Sequence, residues 1–406
     1  MRVTLTPKPL TGVVKAPPSK SMGHRMLICA GLAAGDSVVR GISDSQDMKA
    51  TLDLLSAMGA TYEKVGDVVY IHGADPRVAC PQAPLNCREC GSTLRFFIPL
   101  CLLSDAPMTL TGSPRLMERP LDVYKNLCAE QGLLWQSNHQ DHSLTVQGSL
   151  RGGDMTLRGD VSSQFITGLL LALPLCREDS ILHILPPLES RPYIAMTLAA
   201  MAAFGIRATW TDAFTLSVKG GQTYRPTTAE VEGDYSNTAF FDALSLLGHH
   251  VDVVGLSEDS LQGDKVYRRF YPQLLAGTPT LDICHCPDLG PILMALGGAL
   301  HGVTLTGTRR LRIKESDRGQ AMAQELAKFG VAVDVAEDTI VVSSEGFHAP
   351  TGALNGHNDH RIVMALCTLL TVTGGEMQGA EAVAKSLPDY FDLLKSLGAE
   401  VSIYEA

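Results

Sequence analysis

Short runs of alternating apolar and polar residues recur along the chain, and most of them end on a glycine. They occupy residues 36–41, 108–112, 180–185, 251–255 and 303–307, and only the third run lacks the closing glycine. Alternation with a period of two predicts β-strands that lead into turns.

Stretches with helical spacing follow several of these strands and close on an apolar residue and a glycine. The closing glycines are Gly59, Gly205, Gly330 and Gly398. Glycine directly after the last apolar position is a common helix stop, so these residues predict helix ends. A further alternating strand follows at residues 68–71, 215–218 and 339–342.

The spacing of these signals predicts repeated subdomains. Gly132 lies 73 positions after Gly59 and 73 before Gly205, and Gly398 lies 68 positions after Gly330. Six units of about 70 residues would nearly fill the chain, and each is longer than a solenoid repeat of roughly 20–50 residues. The pattern favours α/β subdomains packed in groups, and its alternative is a single doubly wound sheet.

Composition narrows the class of protein. The chain has 406 residues, 45% of them hydrophobic, and a formal net charge of -10. This length predicts two or three domains, and the acidic balance argues against a nucleic-acid binder. We expect no membrane partner, since no run of about 20 apolar residues occurs and the N-terminus lacks a signal-peptide core. The ten cysteines lie mostly in apolar contexts, as expected of a reduced cytoplasmic protein.

Polar side chains concentrate where apolar helices are predicted to begin. A helix N-terminus offers free N–H groups and a positive dipole end, which together favour an anion. The alternatives are ordinary helix caps and solvated charges, and a zinc site at Cys87 and Cys90. These helix starts contain Lys20, Ser21 and Arg25, then Gly91 and Arg95, then Ser162, Ser163 and Gln164, then Ser190 and Tyr193.

A second set combines acidic and basic residues in the C-terminal half. Asp288 precedes one apolar helix and Arg361 opens another, while Lys385 lies in a Lys-Ser-Leu-Pro-Asp run. Residues 311–318 hold five charges, among them Lys314, Glu315 and Arg318, and the alternative for this run is a solvated charged face. Signatures of a serine nucleophile elbow, a Walker A loop and a dinucleotide-binding loop are absent.

Together these motifs resemble one enzyme family. Residues 18–25 (PSKSMGHR), 159–165 (GDVSSQF), 313–318 (IKESDR), 358–361 (NDHR) and 385–391 (KSLPDYF) occur in an order similar to that of 5-enolpyruvylshikimate-3-phosphate synthases. The resemblance implies an α/β enolpyruvyl-transferase fold with two domains, each an inside-out α/β barrel of three βαβαββ units. It implies that residues 1–18 with 232–406 form one domain and residues 19–231 the other, with the active site in the cleft between them.

The implied reaction transfers the enolpyruvyl group of phosphoenolpyruvate to the 5-hydroxyl of shikimate 3-phosphate in the shikimate pathway of aromatic amino-acid biosynthesis. The resemblance assigns Glu315 as proton donor and acceptor at the methylene carbon and Asp288 as base for the hydroxyl. Lys20 is expected to contact both substrates and share in the proton transfer. Paired carboxylates beside cations suit such acid–base work.

The resemblance also implies the binding residues. Those expected to hold shikimate 3-phosphate are Lys20, Ser21, Arg25, Ser162, Ser163, Gln164, Ser190, Tyr193, Asp288 and Lys314. Those expected to hold phosphoenolpyruvate are Lys20, Gly91, Arg119, Gln164, Arg318, Arg361 and Lys385. Seven of these side chains are cationic, against roughly five to six negative charges on the two substrates at about two per phosphate. The chain departs from the family pattern around Cys90, at Arg310, and at Tyr235 and Asn237, which bears on the shape of the phosphoenolpyruvate pocket.

Two other functions remain as alternatives. One is UDP-N-acetylglucosamine 1-carboxyvinyltransferase, which shares the fold and chemistry but carries Lys-Asn where this chain has Lys20-Ser21. The other is a non-catalytic anion-binding relative, against which the intact Asp288, Glu315 and Lys20 argue. We expect a monomer that uses no metal and no cofactor.

Overall fold

A computed structural model describes residues 1–405, which contain thirteen α-helices and twenty-two β-strands. The helices are α1 (Lys20–Gly31), α2 (Gln46–Ala57), α3 (Gly91–Cys101), α4 (Pro114–Met117), α5 (Asp122–Gln131), α6 (Ser163–Ala172), α7 (Arg191–Ala203), α8 (Tyr235–Leu246), α9 (Tyr267–Ala276), α10 (Gly290–Ala299), α11 (Arg318–Ala327), α12 (His360–Thr373) and α13 (Tyr390–Ser396).

The strands are short, and most have two to five residues. They are β1 (Arg2–Thr6), β2 (Thr11–Lys15), β3 (Asp36–Arg40), β4 (Thr61–Val65), β5 (Val68–His72), β6 (Leu85–Asn86), β7 (Met108–Thr111), β8 (Leu134–Asn138), β9 (Ser143–Gln147), β10 (Gly153–Arg158), β11 (Ser180–Leu185), β12 (Ala208–Trp210), β13 (Thr215–Val218), β14 (Thr228–Glu230), β15 (His250–Val254), β16 (Thr280–Asp282), β17 (Val303–Thr306), β18 (Val333–Val335), β19 (Thr339–Val342), β20 (Leu354–Asn355), β21 (Gly375–Gln378) and β22 (Glu400–Tyr404).

The chain divides into two compact units. The continuous unit is Pro18–Glu232, and the discontinuous unit is Met1–Pro17 together with the chain from Gly233 onward. Each has its own hydrophobic core. One core draws its buried residues from positions 22–231, and the other draws them from positions 3–14 and 235–397.

The described strands form six sheets, three in each unit, and five of the sheets share one pattern. In each of these five, the first two strands in sheet order are parallel to each other. The third and fourth strands are each antiparallel to the strand before them in the sheet. For example, β6 runs parallel to β7, with Leu85 beside Leu110, and β7, β9 and β8 are antiparallel neighbours. Separate small sheets contradict the alternative of a single doubly wound sheet.

Each four-stranded sheet belongs to a βαβαββ repeat. Two repeats of the continuous unit are uninterrupted, whereas the third takes its first strand, β14, from the end of the unit and pairs Thr228 with Val38. In the discontinuous unit, β1 lies between β21 and β22 and completes a repeat that begins at β20. The remaining repeat has only two strands, β2 and β15. The prediction of six related units is confirmed, and one of them is incomplete.

Helices occupy the interior of each unit. Nearly every residue of α3, α6, α10 and α12 is buried, and α3 packs on α6 while α10 packs on α12. Such helices are apolar on all sides because they contact protein on all sides. The strands alternate buried and exposed positions, as β11 does throughout its length, so the sheets lie outside.

The structure confirms the predicted strands and helix ends. The helices predicted to stop at Gly59, Gly205, Gly330 and Gly398 end two or three residues earlier, and all four glycines have positive φ. Within residues 1–405, no helix combines the length and the apolar character needed to cross a membrane.

Candidate active site

The predicted residues of the continuous unit gather where its buried helices begin. Ser19 caps α1 by accepting a hydrogen bond from the Met22 amide at 3.3 Å. The next residue, Lys20, donates from Nζ to Asp47 Oδ2 at 2.7 Å. Asp47 was not predicted, because nothing in its sequence neighbourhood distinguishes it from a first-turn acidic residue of α2.

Arg25 lies one turn into α1 and is buried, with 2% of its surface exposed. Its Nε donates to Thr197 Oγ1 at 2.9 Å and its Nη2 to the Tyr193 carbonyl at 3.2 Å. Its guanidinium also lies over the Phe96 ring, 5.3 Å from the centroid. Burial lowers the pKa of Arg25 to about 10, which leaves it charged at neutral pH. The fold therefore holds a cation in one orientation beside the predicted Tyr193.

The serines predicted to bind phosphate occupy the starts of α6 and α7. Ser162 caps α6 through the Gln164 amide at 3.3 Å, so one of the three adjacent polar groups is a structural cap. Ser190, before α7, is buried and has φ of 55°. A non-glycine residue in this left-handed region is strained, and such residues cluster at functional sites.

Gly91 and Arg119 meet at the start of α3. A Cβ on Gly91 would lie 2.6 Å from Arg119 Nη1, so a larger residue here would displace this buried guanidinium from the helix start. Arg95, one turn on, donates to Gln164 Oε1 at 2.7 Å, and Gln164 Nε2 donates to Ser92 Oγ at 3.0 Å. Both hydrogen-bonding ends of Gln164 are thereby oriented.

In the discontinuous unit, Arg318 is the centre of a buried ionic network. Only 1% of its side chain is exposed, and it pairs with Asp288 at 2.8 Å, Glu315 at 2.9 Å and Asp359 at 2.8 Å. The alternative of a solvated charged face for residues 311–318 is wrong for Arg318. Asp359 belongs to the sequence motif of residues 358–361, but its pairing with Arg318 was not predictable because the contact spans 41 positions.

Asp288 is held by three cations. Lys314 Nζ lies 3.1 Å from its Oδ1, Arg318 Nη1 lies 2.8 Å from the same oxygen, and Arg361 Nη2 lies 3.6 Å from Oδ2. Burial alone raises the pKa of Asp288, but these cations outweigh burial and hold the pKa well below the usual range. Asp288 is therefore ionised at neutral pH. Burial lowers the pKa of Lys314 despite the neighbouring Asp288.

Arg361 and Lys385 complete this part of the site. The buried Arg361 donates to the Ser236 carbonyl at 2.8 Å and to Asn237 Oδ1 at 3.1 Å. Asn237, where the chain departs from the family pattern, thus contacts a predicted substrate-binding residue. Lys385 is 9% exposed and donates to the Asn358 carbonyl.

A buried carboxyl that the sequence did not reveal lies beside Arg361. Asp264 accepts a hydrogen bond from Ser236 Oγ and is 1% exposed. Burial, aided by the charge of Asp288, raises its pKa to about 7 despite Ser236 and Arg361. The Asp264 carboxyl therefore gains or loses its proton close to neutral pH.

The structure thus brings the predicted residues into one cluster per unit. We name them the serine–arginine cluster and the carboxylate–arginine cluster. The serine–arginine cluster contains Lys20, Ser21, Arg25, Gly91, Arg119, Ser162, Ser163, Gln164, Ser190 and Tyr193. The carboxylate–arginine cluster contains Asp288, Lys314, Glu315, Arg318, Arg361 and Lys385. The comparison of seven cations with the substrate charges omitted two carboxylates, because Asp47 already pairs with Lys20 and Asp359 with Arg318.

The chain is similar to proteins of known activity over nearly its whole length. A family model described as EPSP synthase (3-phosphoshikimate 1-carboxyvinyltransferase) matches residues 5–394. A 3-phosphoshikimate 1-carboxyvinyltransferase of Clostridium kluyveri is 37% identical, covering 98% of each chain. The enzyme of that name in Clostridium novyi is 35% identical, covering 98% of this chain and 97% of its own.

Solved structures show the same fold. An EPSP synthase of Acinetobacter baumannii superposes with a TM-score of 0.79 at 23% identity, covering 99% of this chain and all of its own. The enolpyruvyl transferase NikO of Streptomyces tendae gives 0.80 at 14% identity, covering all of this chain and 99% of its own.

Proposed function

The chain belongs to the EPSP synthase (3-phosphoshikimate 1-carboxyvinyltransferase) family, and on that premise we propose how its residues transfer the enolpyruvyl group of phosphoenolpyruvate to the 5-hydroxyl of shikimate 3-phosphate. The observation that supports the proposal most is the pair of carboxylates, Asp288 and Glu315, bound to one buried guanidinium, that of Arg318. UDP-N-acetylglucosamine 1-carboxyvinyltransferase is not favoured by the relatives, which are named for the shikimate reaction.

We propose that the serine–arginine cluster holds shikimate 3-phosphate. Ser162 and Ser163 offer hydroxyls at the positive end of α6, where an anion is stabilised. Arg25 is pre-oriented by Thr197 and by the Tyr193 carbonyl, so little side-chain freedom is lost when it binds. Lys20, Ser21, Gln164, Ser190 and Tyr193 complete the set, with Asp288 and Lys314 near the reacting hydroxyl.

Phosphoenolpyruvate brings a phosphate and a carboxylate, for which arginine is well suited because its planar fork binds such groups in a bidentate manner. We propose that Arg119, Arg318 and Arg361 bind them, with Lys385 and Lys20 as point charges. Gly91 leaves the space in which Arg119 lies.

The reaction divides into addition and elimination, each with two proton transfers. In the addition, Glu315 gives a proton to the methylene carbon of phosphoenolpyruvate, the 5-oxygen bonds to C2, and Asp288 accepts the hydroxyl proton. In the elimination, the C–O bond to phosphate breaks while Asp288 gives its proton to the departing phosphate oxygen, and the methyl carbon returns a proton to Glu315. Lys20 shares in these transfers. No electrons are exchanged with a further reactant.

The low pKa of Asp288 suits one half of this role. An ionised carboxylate accepts the hydroxyl hydrogen bond at any neutral pH, but it is a weak base while three cations surround it. When substrate phosphate and carboxylate groups bind Lys314, Arg318 and Arg361, they partly neutralise these cations, which then stabilise the Asp288 carboxylate less. We expect its pKa to rise, so substrate binding strengthens the base.

Phosphate release tests the function directly. We expect the enzyme to release inorganic phosphate from phosphoenolpyruvate only when shikimate 3-phosphate is present, in a chelator-containing buffer without nucleotide. Shikimate 3-phosphate and UDP-N-acetylglucosamine are the two acceptors compared, and the latter should give no release. Release with UDP-N-acetylglucosamine alone, or none with either acceptor, would contradict the proposal.

We propose that the enzyme acts as a monomer in the cytoplasm. All of the side chains assigned to the substrates come from one chain, so a second copy supplies none of them. The ten cysteines are free thiols, and most are buried, which suits a reducing compartment. Light scattering behind a sizing column measures the mass directly.

A further inference from the structure

Three side chains with metal-binding atoms converge beside Lys20. His24 on α1, Asp47 on α2 and Cys90, the residue before α3, each offer one ligand atom, and these atoms all lie within 4.8 Å of one another. All three residues are buried, and Cys90 and His24 have no role in the reaction proposed above.

The spacing fits a tetrahedral ion. Zinc lies about 2.3 Å from thiolate sulfur and about 2.0–2.1 Å from imidazole nitrogen, so a tetrahedral angle separates the two ligand atoms by about 3.6 Å. Cys90 Sγ and His24 Nε2 are 3.7 Å apart in the structure. The separation of these two atoms therefore matches that of two ligands on one zinc ion.

The surroundings orient the ligands. His24 Nδ1 is 2.8 Å from Thr51 Oγ1, which is 2.9 Å from Thr93 Oγ1. These hydrogen bonds direct His24 Nε2 toward Cys90. Metal-bound histidines are commonly fixed in this way through their second nitrogen. Burial lowers the pKa of His24, and Lys20 and Arg25 lower it further, so its ring is neutral and can donate a lone pair.

The thiol must lose its proton to bind. Burial, with the charge of Asp47, raises the pKa of Cys90 to about 12 although Lys20 opposes the shift. The Thr93 amide, 3.4 Å from Sγ at the start of α3, favours the thiolate once a metal displaces the proton. Thiolate and carboxylate together neutralise a divalent cation.

Asp47 links this cluster to the catalytic residue Lys20. Its Oδ2 accepts a hydrogen bond from the Lys20 ammonium at 2.7 Å. The Asp47 side chain is only 10% exposed and that of Lys20 only 14%. A cation bound by Asp47 competes with Lys20 for the same carboxylate and repels the ammonium. A cation bound to the cluster would therefore displace Lys20 from its present position.

We propose that His24, Asp47 and Cys90 form a binding site for a thiophilic divalent cation such as zinc, with water as fourth ligand, and that its occupancy inhibits the enzyme through Lys20. Binding exchanges one proton: the Cys90 S–H bond breaks, an S–metal bond forms, and the proton leaves to solvent. The binding half of the proposal is independent of the reaction, whereas the inhibition half rests on the proposed function.

Cadmium titration tests the site without using activity. Cys80 is exposed and Cys284 is partly exposed, so the parent protein for the test carries C80S and C284S. We expect one equivalent of Cd²⁺ to produce a thiolate-to-metal absorption band in this parent, and the added C90S substitution to abolish it. No band in the parent, or an unchanged band with C90S, overturns the site.

A second variant guards against misfolding. H24N keeps the thiol but removes the nitrogen ligand, and we expect cadmium affinity to fall by at least tenfold in protein with unchanged circular dichroism. Full affinity in H24N contradicts the ligand set.

Activity tests the inhibition half. We expect zinc to inhibit the parent by more than tenfold, EDTA to restore it, and the fractional inhibition of the C90S protein to be several-fold smaller. A cadmium band without inhibition overturns the link to Lys20. A band in protein that never releases phosphate refutes the proposed function but not the site.

Discussion

At the residue scale, the two carboxylates are expected to affect turnover more than binding. General acid–base groups contribute roughly 10²–10⁴-fold to rate. We expect Glu315→Gln and Asp288→Ala each to lower kcat by about that factor while KM for either substrate changes less than tenfold. Steady-state kinetics separates the two quantities. An equal loss in kcat and in affinity would indicate that the carboxylate only orients Arg318.

Arg25 offers a test of binding that leaves the chemistry in place. Thr197→Val keeps the side-chain shape but removes the acceptor 2.9 Å from Arg25 Nε. A hydrogen bond to a charged group contributes about 1.5–3 kcal/mol, so KM for shikimate 3-phosphate should rise roughly tenfold or more with kcat little changed. Thr209→Val, on β12, is the control and should leave both constants unchanged. If KM stays the same, Arg25 does not contact this substrate.

Asp264 should make stability depend on pH. Its folded pKa of about 7 lies above its unfolded value of about 3.9, so the folded protein binds a proton that the unfolded chain releases. The free energy of unfolding therefore decreases as pH rises from about 4 to 7, by up to about 1.4 kcal/mol per pH unit. Asp264→Asn should remove this slope. Urea unfolding at pH 5, 6, 7 and 8 measures it, and parallel curves for the two proteins would contradict the raised pKa.

The contacts of three buried aspartates were not predictable from the sequence. Asp47, Asp264 and Asp359 contact their partners only after distant segments of the chain pack together. Their neighbours carry no feature that separates a buried partner from a helix cap, and Asp359 is in fact also the cap of α12. Asp359, Lys20 and Arg318 lie in motifs, so their positions were predictable although their ion pairs were not.

At the element scale, close helix packing decides how a glycine substitution behaves. Gly168 lies inside α6, where alanine would ordinarily stabilise a helix by about 1 kcal/mol. Here a Cβ would lie 2.3 Å from Tyr124 Oη and 2.5 Å from the Arg95 carbonyl oxygen, so α6 must move away from α3. We expect Gly168→Ala to destabilise the protein by about 1–3 kcal/mol.

Thermal unfolding measures this effect against a matched change. Gly352 has no atom within 4 Å of the position that a Cβ would take, so Gly352→Ala should change the free energy of unfolding by less than about 0.5 kcal/mol. Because α3 and α6 carry Gly91 and Gln164, Gly168→Ala should also raise KM for phosphoenolpyruvate. A stabilised Gly168→Ala protein would contradict the packing of these helices.

Elements were the most predictable level of the fold. Strand alternation and glycine stops depend on neighbouring residues, so the sequence alone predicts eight of the described strands and four helix ends. The two-stranded sheet of β2 and β15 was not predictable, because a missing hairpin leaves no local signal. The role of β1 also depends on pairing with strands near the other end of the chain, as in the pairing of Arg2 with Tyr404.

At the scale of the whole molecule, each unit has the features of an independent folding unit. Every buried residue of one core comes from positions 22–231 and every buried residue of the other from outside that range. The two crossings of the chain are adjacent within each unit. The Ser19 amide donates to the Glu232 carbonyl at 2.8 Å, and the Asp234 amide donates to the Pro17 carbonyl at 2.8 Å. The continuous unit is therefore an insertion whose ends meet.

Two excised proteins follow from this organisation. We expect residues 18–232 alone, and a chain joining residue 17 to 233 through a short glycine linker, each to fold with native helix content and a cooperative thermal transition. A domain of about 200 residues buries enough surface for this. The linker tolerates the closure because the joined ends already lie side by side. Circular dichroism and calorimetry of each protein, with the full chain as control, give the measurement.

Ligand binding by the same fragments tests how the site is divided. If the serine–arginine cluster carries most of the affinity for shikimate 3-phosphate, residues 18–232 should bind it at least tenfold more tightly than the linked discontinuous unit, as measured by calorimetry. Neither fragment should release phosphate from phosphoenolpyruvate, because Asp288 and Glu315 lie in one and Lys20 in the other. Affinity should be lost in the fragment when Arg25 is replaced by methionine. A fragment that folds but shows no such preference would place the substrate-binding residues mainly in the carboxylate–arginine cluster.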